Sequence, residues 1–201
     1  MFTGIVREVG TVGELTRADG VSRLSVYAPQ TAPRLQRLES VSVNGVCLSV
    51  VRLGRGSMTF ELIPETRRLT ALDRLRPGTR VNLEPSLSLS DRLGGQLLFG
   101  HVDGVGTIVK RRQLAGELVL EIRIRTELRK FLVPKGPVAV DGVSLTVGRR
   151  LTRTAFTVHL IPETVRQTTL STRQVGERVN IELDYFAKLV AQFVKQGSVV
   201  G

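Results

Sequence analysis

Four side chains of this sequence have the chemistry for proton transfer, nucleophilic attack or stabilisation of negative charge. Cys47 is the only cysteine, and a thiol can act as a nucleophile or as a hydrogen-bond donor. His101 is one of two histidines, and an imidazole exchanges protons near neutral pH. The hydroxyls of Ser144 and Thr146 can donate hydrogen bonds to developing charge. Each also has a structural interpretation, because a cysteine in an apolar strand is commonly an inert core residue.

The sequence offers too few ligands for a structural metal site. One cysteine and two histidines fall short of the four nitrogen and sulfur ligands that a structural zinc ion takes. A single cysteine also excludes an internal disulfide framework, which fits a reducing compartment. We therefore expect no metal cofactor.

These residues lie in blocks of sequence that occur twice in the chain. Residues 42–50 (SVNGVCLSV) return as residues 139–147 (AVDGVSLTV) with five of nine positions identical. Residues 63–70 return as residues 161–168 with six of eight identical. Two further blocks match in the same order and at nearly the same offset. The sequence therefore indicates a duplicated domain, in which a binding surface of one half has a counterpart in the other.

Short runs that alternate apolar and polar residues, or that collect β-branched ones, make up most of both halves. No long helical pattern lies between them. This indicates a mainly β fold, with two tandem homologous small antiparallel Greek-key β-barrels plus a C-terminal α-helix. The runs are residues 21–27, 41–51, 58–63 and 81–84 in the first half, and 118–124, 138–147, 156–161 and 179–183 in the second.

Brief helical pieces are expected between the strands. Residues 31–38 and 126–133 stand at equivalent places in the two halves. Each Pro-Glu-Thr sequence, at residues 64–66 and 162–164, predicts one helical turn, because proline is favoured at the first helical position.

The repeat also predicts where the chain divides. We expect an N-terminal barrel over residues 1–97, a C-terminal barrel over 98–183, and a helix with its tail over 184–201. Asp184 is of a residue type that caps helices, and apolar residues share one face of the helix that follows. That face either packs on its own barrel or contacts other subunits. It consists of Phe186, Leu189, Val190, Phe193 and Val194.

Composition and charge limit the possible partners. The net charge of +11 is dispersed, and aromatic residues make up only 4% of the chain, so we expect no nucleic-acid partner. The apolar stretches are interrupted by charged residues or glycine, so we expect no membrane span. The N-terminus lacks the basic start and apolar run of a signal peptide. We therefore expect a cytoplasmic protein.

The repeated blocks resemble those of the riboflavin synthase family. The resemblance rests on residues 1–6 (MFTGIV), 44–48 (NGVCL), 100–104 (GHVDG), 141–146 (DGVSLT) and both Ile-Pro-Glu-Thr sequences, and it covers essentially the whole chain. It implies a cofactor-free dismutation, in which one 6,7-dimethyl-8-ribityllumazine donates a four-carbon unit to another. It also implies a homotrimer, with each active site between the N-terminal barrel of one subunit and the C-terminal barrel of a neighbour.

The resemblance implies two sets of substrate-binding residues. The N-terminal pocket would use Gly4, Ile5, Val6, Cys47, Leu48, Ser49, Glu61, Leu62, Ile63, Pro64, Glu65 and Thr66. The C-terminal pocket would use Gly100, His101, Val102, Ser144, Leu145, Thr146, His159, Leu160, Ile161, Pro162, Glu163 and Thr164, with Lys135 reaching a ligand of a neighbouring chain. The catalytic candidates are His101, Cys47, Ser144, Thr146 and Asp141.

Several of these residues keep a second interpretation. Glu65 and Glu163 follow proline, and they suit the first turn of a helix as well as a ligand contact. His159 faces either solvent or the ribityl hydroxyls. Asp141 either orients Ser144 or closes a turn.

Three positions depart from the family pattern, and two functional questions stay open. Phe99 stands where serine is usual, Ser49 where threonine is commoner, and Gln96 where histidine is frequent. The alternative to an enzyme is a non-catalytic antenna or storage protein that holds lumazine or flavin. Association with a lumazine synthase is a further possibility.

Overall fold

The computed structural model describes residues 1–17 and 20–197, with side chains through residue 195, and its first half is a closed antiparallel barrel. Around this barrel the order is β1-β2-β5-β4-β3-β6, with β6 pairing back to β1. The strands are β1 (Glu8–Thr16), β2 (Ser22–Tyr27), β3 (Ser40–Val43), β4 (Val46–Gly54), β5 (Ser57–Leu62) and β6 (Arg80–Pro85).

The second half repeats this barrel with the same connections. The order is β10-β11-β8-β7-β12-β9, and β9 pairs with β10 to close the ring. The prediction of two small antiparallel barrels in a mainly β chain is confirmed. The strands are β7 (Gly104–Leu114), β8 (Glu117–Arg123), β9 (Pro137–Val140), β10 (Val143–Leu151), β11 (Ala155–Leu160) and β12 (Arg178–Leu183).

The helical pieces are shorter than the sequence predicted, except at the Pro-Glu-Thr turns. These form α1 (Pro64–Leu69) and α3 (Pro162–Gln167), each with proline at its start. The piece expected over residues 31–38 is a 3₁₀ turn at Ala32–Arg34, because Leu35 is already extended. The piece expected over residues 126–133 is α2 (Thr126–Arg129).

Two of the predicted strands are hairpins. The runs 41–51 and 138–147 are divided at Asn44–Gly45 and at Asp141–Gly142, where all four residues have positive φ. Asn-Gly and Asp-Gly are the sequences that two-residue hairpin turns favour, because both central residues of such turns take left-handed conformations. Each turn lies between strands that pair residue by residue, β3 with β4 and β9 with β10.

The two turns meet where the barrels touch. Asn82 Nδ2 donates to the Asp141 carbonyl at 2.9 Å, and Asn180 Nδ2 donates to the Asn44 carbonyl at 2.8 Å. Each amide oxygen also accepts a backbone N–H of a 3₁₀ turn in the opposite half. These buried, satisfied amides fix how one barrel sits on the other.

The chain ends in α4 (Tyr185–Gly197), which begins where the sequence predicted. Asp184 Oδ1 accepts the backbone N–H of Phe186 at 3.1 Å, as an N-cap does. The apolar face does not pack on its own barrel, since Phe186, Val190 and Phe193 are 62%, 63% and 68% exposed. Residues 198–201 of the predicted tail lie outside the described residues. None of the helices described is both long and apolar enough to cross a membrane.

Candidate functional site

The segment before each barrel lies against a strand of the other barrel. The Gly4 carbonyl accepts the Ser144 N–H, and the Gly100 carbonyl accepts the Cys47 N–H, both at 2.9 Å. Val6 accordingly packs against the core of the second barrel, although it precedes the first. The sequence had grouped Gly4 with Cys47, so the structure differs from that grouping.

This exchange has a simple cause. The repeat aligns each opening segment with the half that follows it, but each segment crosses the junction between barrels before its first strand begins. Residues 100–102 therefore join Cys47 on the first barrel, and residues 4–6 join Ser144 on the second. The opening segments thus trade partners relative to the predicted grouping, and the assignment of these residues to substrate binding stays a prediction.

Both crossing glycines are required by close packing. A Cβ atom on Gly4 would lie 2.6 Å from Ser144 Cβ, and one on Gly100 would lie 2.6 Å from Cys47 Cβ. Both glycines also have positive φ, at +76° and +72°. Without side chains, the two backbones approach the strands that carry the thiol and the hydroxyl.

Two buried glutamates hold the crossing segments in place. Glu84 Oε1 accepts both the N–H and the hydroxyl of Thr3 at 2.7 Å, and Glu84 Oε2 accepts the Gly4 N–H at 2.9 Å. Glu182 accepts the N–H groups of Phe99 and Gly100 at 2.8 and 3.1 Å. Burial raises the pKa of both carboxyls, and these hydrogen bonds oppose the rise.

These glutamates were not among the functional residues predicted from the sequence. Their signal was present, because residues 78–84 and 176–182 are one of the repeated blocks and both end in glutamate. Nothing in the alternation of strand residues shows that such a carboxylate accepts hydrogen bonds from a segment 80 residues away.

Ser144 has a partner that Cys47 lacks in the repeat. Ser144 Oγ donates to Gln96 Oε1 at 2.9 Å, and the Gln96 N–H donates to the Thr3 carbonyl at 3.0 Å. Gln96 therefore holds the hydroxyl group of Ser144 in place beside the Gly4 segment. Gln96 Nε2 is buried without a partner among the described residues.

Asp141 closes a turn and is enclosed by protein. Its side chain is fully buried, with Oδ2 2.7 Å from an Arg173 nitrogen and Oδ1 accepting the Asn180 N–H at 2.8 Å. Burial raises the pKa of the Asp141 carboxyl, and the charge of Arg173 opposes the rise. Of its two interpretations, the structure supports the turn.

His101 is exposed beside an aromatic side chain. The Phe99 ring stacks on the imidazole with centroids 6.1 Å apart and planes at 29°. On its other side, Phe99 contacts the Tyr185 ring at 5.0 Å. Phe99 therefore supports His101 from the side of the C-terminal helix.

Each barrel also carries a surface cleft, and the two clefts lie at equivalent positions of the repeat. The cleft of the second barrel, about 530 Å³, brings together Lys135, Thr146 and His159. His159 Nδ1 lies 2.8 Å from Glu117 Oε2, so the imidazole is anchored at the cleft edge. Glu61 lines the cleft of the first barrel, 3.4 Å from Arg23 Nε.

The remaining predicted residues divide by exposure. The four leucines are buried, so only their backbone can meet a ligand: Leu48, Leu62, Leu145 and Leu160. Ile63 and Ile161 are exposed at the starts of α1 and α3. Hydrogen bonds from Arg166 and Gln167 lower the pKa of Glu163, which fits its role in the first turn.

Comparison with known proteins matches both halves. A profile of the lumazine binding domain matches residues 3–86 and again residues 99–184. A riboflavin synthase of Mycobacterium tuberculosis is 41% identical over 198 residues, which is 97% of this chain and 98% of that protein. A riboflavin synthase of Bacillus subtilis is 34% identical over 198 residues, 98% of this chain and 92% of that protein.

Solved structures share the fold. LumP in complex with riboflavin superposes with a TM-score of 0.85 at 24% identity, covering 91% of this chain and 99% of that one. LumP in complex with 6,7-dimethyl-8-(1'-D-ribityl) lumazine superposes with a TM-score of 0.83 at the same identity and coverage. Among the described residues, no cluster of three or more histidine, cysteine or acidic side chains is suited to a metal ion.

Proposed function

The chain belongs to the riboflavin synthase family, and we propose that its two unlike pockets divide that family's reaction between them. The protein forms riboflavin from two molecules of 6,7-dimethyl-8-ribityllumazine. One molecule gives a four-carbon unit to the other and leaves as 5-amino-6-ribitylaminouracil. Two copies of one substrate with different fates require two similar pockets that are not equivalent.

The observation that carries this proposal is the pair of crossing segments. Both bring a glycine backbone against a strand that carries a small polar side chain, Cys47 in one pocket and Ser144 in the other. Because the strand fills the space of each missing Cβ atom, each pocket can offer a flat ring a backbone edge beside a small polar side chain. The residue after the glycine then differs, Ile5 in one pocket and His101 in the other.

That difference suggests which group moves the proton. The reaction begins when the C7 methyl of one lumazine loses a proton, and the carbanion attacks the second lumazine. His101 is the candidate to exchange this proton, with Cys47 as donor or nucleophile in the same pocket. Most of the acidity is the substrate's own, so the protein contributes mainly proximity and electrostatic support.

We further propose that the active site is completed by a second subunit. The clefts at Lys135 and at Glu61 are open in the single chain, and the apolar stripe of α4 is exposed. A homotrimer that joins α4 helices would bring an N-terminal barrel against a neighbour's C-terminal barrel. The domain boundaries at residues 97 and 183, the cytoplasmic location and any association with lumazine synthase stay predictions.

Turnover of the lumazine tests this function directly. The purified protein is incubated with 6,7-dimethyl-8-ribityllumazine without added metal or cofactor, and both pteridine and flavin are followed by chromatography. We expect one riboflavin for every two lumazines consumed. Tight lumazine binding without product would instead mean an antenna or storage protein. A protein that neither binds nor converts the lumazine would contradict both functions.

A further inference from the structure

The segment that carries His101 is held by the C-terminal helix through an aromatic contact. The Phe99 ring lies between two other rings, 5.0 Å from Tyr185 in the first turn of α4 and 6.1 Å from His101. Both separations are in the range of attractive ring pairs. A residue of the helix thus reaches the imidazole through a single intervening side chain.

An ion pair holds the other end of the same segment. Lys188 Nζ lies 2.9 and 3.0 Å from the two carboxylate oxygens of Asp103. The side chains are only 26% and 18% exposed, so solvent screens this pair less than a surface pair. Asp103 Oδ2 also accepts the Leu183 N–H at 2.8 Å. Asp103 is therefore fixed to both β12 and α4.

The equivalent segment of the first half is held by the linker and not by a helix, since the Gln96 N–H donates to the Thr3 carbonyl at 3.0 Å. Glu84 repeats the backbone hydrogen bonds of Glu182, so both segments share that anchor. The position of Asp103 is occupied by Arg7, and β6 is followed by an extended linker in place of a helix. The helix contacts are therefore confined to the segment that carries the histidine, and the segment with Ile5 does without them.

We propose that α4 positions His101, with Tyr185 and Lys188 as positioning residues. This inference rests on the proposed function, in which His101 serves the reaction. An exposed imidazole on an unsupported segment would sample several orientations, whereas contacts at residues 99 and 103 restrict the backbone on both sides of it. Misplacement of a reacting group by about 1 Å can cost about a hundredfold in rate. A second subunit that packs on the exposed apolar face of α4 would fix the helix, and with it the residues that contact Phe99 and Asp103.

The test removes the helix contacts without touching His101. Lys188→Met and Tyr185→Leu keep apolar volume on α4, and Gln192→Ala on the same helix is the control. We expect the two variants to lower kcat about threefold, less than the loss of His101 itself, while KM changes by less than about twofold. We expect Gln192→Ala to match the wild type in both constants.

Ring signals of the histidines give a readout that does not depend on turnover. The chain has two histidines, so ¹H–¹⁵N spectra of the imidazoles separate His101 from His159, which lies on β11 and pairs with Glu117. In Lys188→Met we expect the His101 signals to shift or broaden and the His159 signals to stay. These spectra are informative even if the wild type forms no riboflavin, so the positioning claim and the proposed function can fail separately.

A variant outside the helix separates the loss of the ion pair from a change in oligomeric state. Asp103→Asn breaks the same ion pair from the other side, and sedimentation of each variant reports its oligomeric state. We expect Asp103→Asn to repeat the loss in kcat at the wild-type sedimentation coefficient. Unchanged kcat and unchanged His101 signals in Lys188→Met and Asp103→Asn would overturn the proposal. A loss that appears only in dissociated samples would overturn it equally.

Discussion

The two barrels share the contacts that hold their crossing segments, and they differ in the side chains near those segments. Both use a buried glutamate to hold a glycine against the opposite barrel, and both place a left-handed two-residue turn at the junction. On the first barrel Cys47 contacts the segment that carries His101, and on the second Ser144 contacts the segment that carries Ile5. The duplicated halves therefore keep the residues that hold the segments in place and differ in the side chains proposed to meet the substrate.

The junction between the barrels also has a shared backbone with different side chains, one pair of which is charged and buried. In the second half Asp141 pairs with Arg173, while the repeat places Asn44 and Leu75 at these positions in the first half. A neutral pair and an ion pair thus fill equivalent sites of one frame. A lone buried charge is costly, so we expect that neither Asp141 nor Arg173 can be replaced alone without a loss of stability.

The largest effect is expected at this ion pair. Arg173→Leu leaves the fully buried Asp141 without its counter-charge, so we expect the free energy of unfolding to fall by about 3 kcal/mol or more. The double variant Asp141→Asn with Arg173→Leu copies the first half, and we expect it to recover most of that loss. Urea unfolding of the single and double variants measures both. Additive losses would show that the halves are not interchangeable here.

The next effect is at the crossing glycines. In Gly100→Ala and Gly4→Ala the new Cβ meets Cys47 or Ser144 at 2.6 Å, so each should displace one segment and lower turnover about a hundredfold. Lumazine fluorescence titrations should show one pocket lost and the other kept in each variant. Gly78→Ala is the control, because it has positive φ but no atom within 4 Å of the new Cβ. Loss of both pockets from either change would mean that the pockets are not separate.

A smaller effect is expected when the residues after the glycines are made alike. His101→Ile removes the proposed proton carrier, and we expect kcat to fall about tenfold with lumazine affinity nearly unchanged. Ile5→His adds an imidazole to the other pocket and should not restore turnover in the His101→Ile background. Steady-state kinetics and equilibrium binding measure this together. Equal losses of turnover and affinity would assign His101 to binding alone.

The smallest effect is a dependence of stability on pH from the shared glutamates. Burial raises the pKa of Glu84 and Glu182 above the ordinary 4.5, so the folded state holds their protons to a higher pH than the unfolded state. Their contribution to stability is complete below about pH 4.5 and is lost as pH rises through the folded pKa. The free energy of unfolding of the wild type should therefore fall, relative to Glu84→Gln with Glu182→Gln, as pH rises from that value. A parallel profile for the two proteins would contradict this.

Much of the frame could be predicted from the sequence because its rules are local. Alternation of apolar residues gave the strands, and the Pro-Glu-Thr sequences gave α1 and α3. The hairpin turns at Asn44–Gly45 and Asp141–Gly142 had a local signal that the longer apolar runs concealed. The apolar stripe of α4 was visible in its spacing.

The rest depends on contacts between residues far apart in the chain. Which barrel receives residues 4–6 is decided at the junction, and a repeat aligned with itself cannot show a crossing. The partners of Ser144 and Asp141 come from the linker and from a loop 32 residues away, at Gln96 and Arg173. Pattern and resemblance thus predict the site residues, while the structure decides which of them lie together.

Complementation between two defective variants tests the central claim most directly, namely that pockets of unlike halves act together across subunits. His101→Gln impairs the pocket on the first barrel, and Ser144→Ala impairs the pocket on the second. The two are unfolded together, refolded as a mixture, and assayed for riboflavin formation beside each variant treated alone. The account predicts activity above the mean of the two parents, because mixed assemblies contain sites with both pockets intact. Activity that stays at that mean would contradict it.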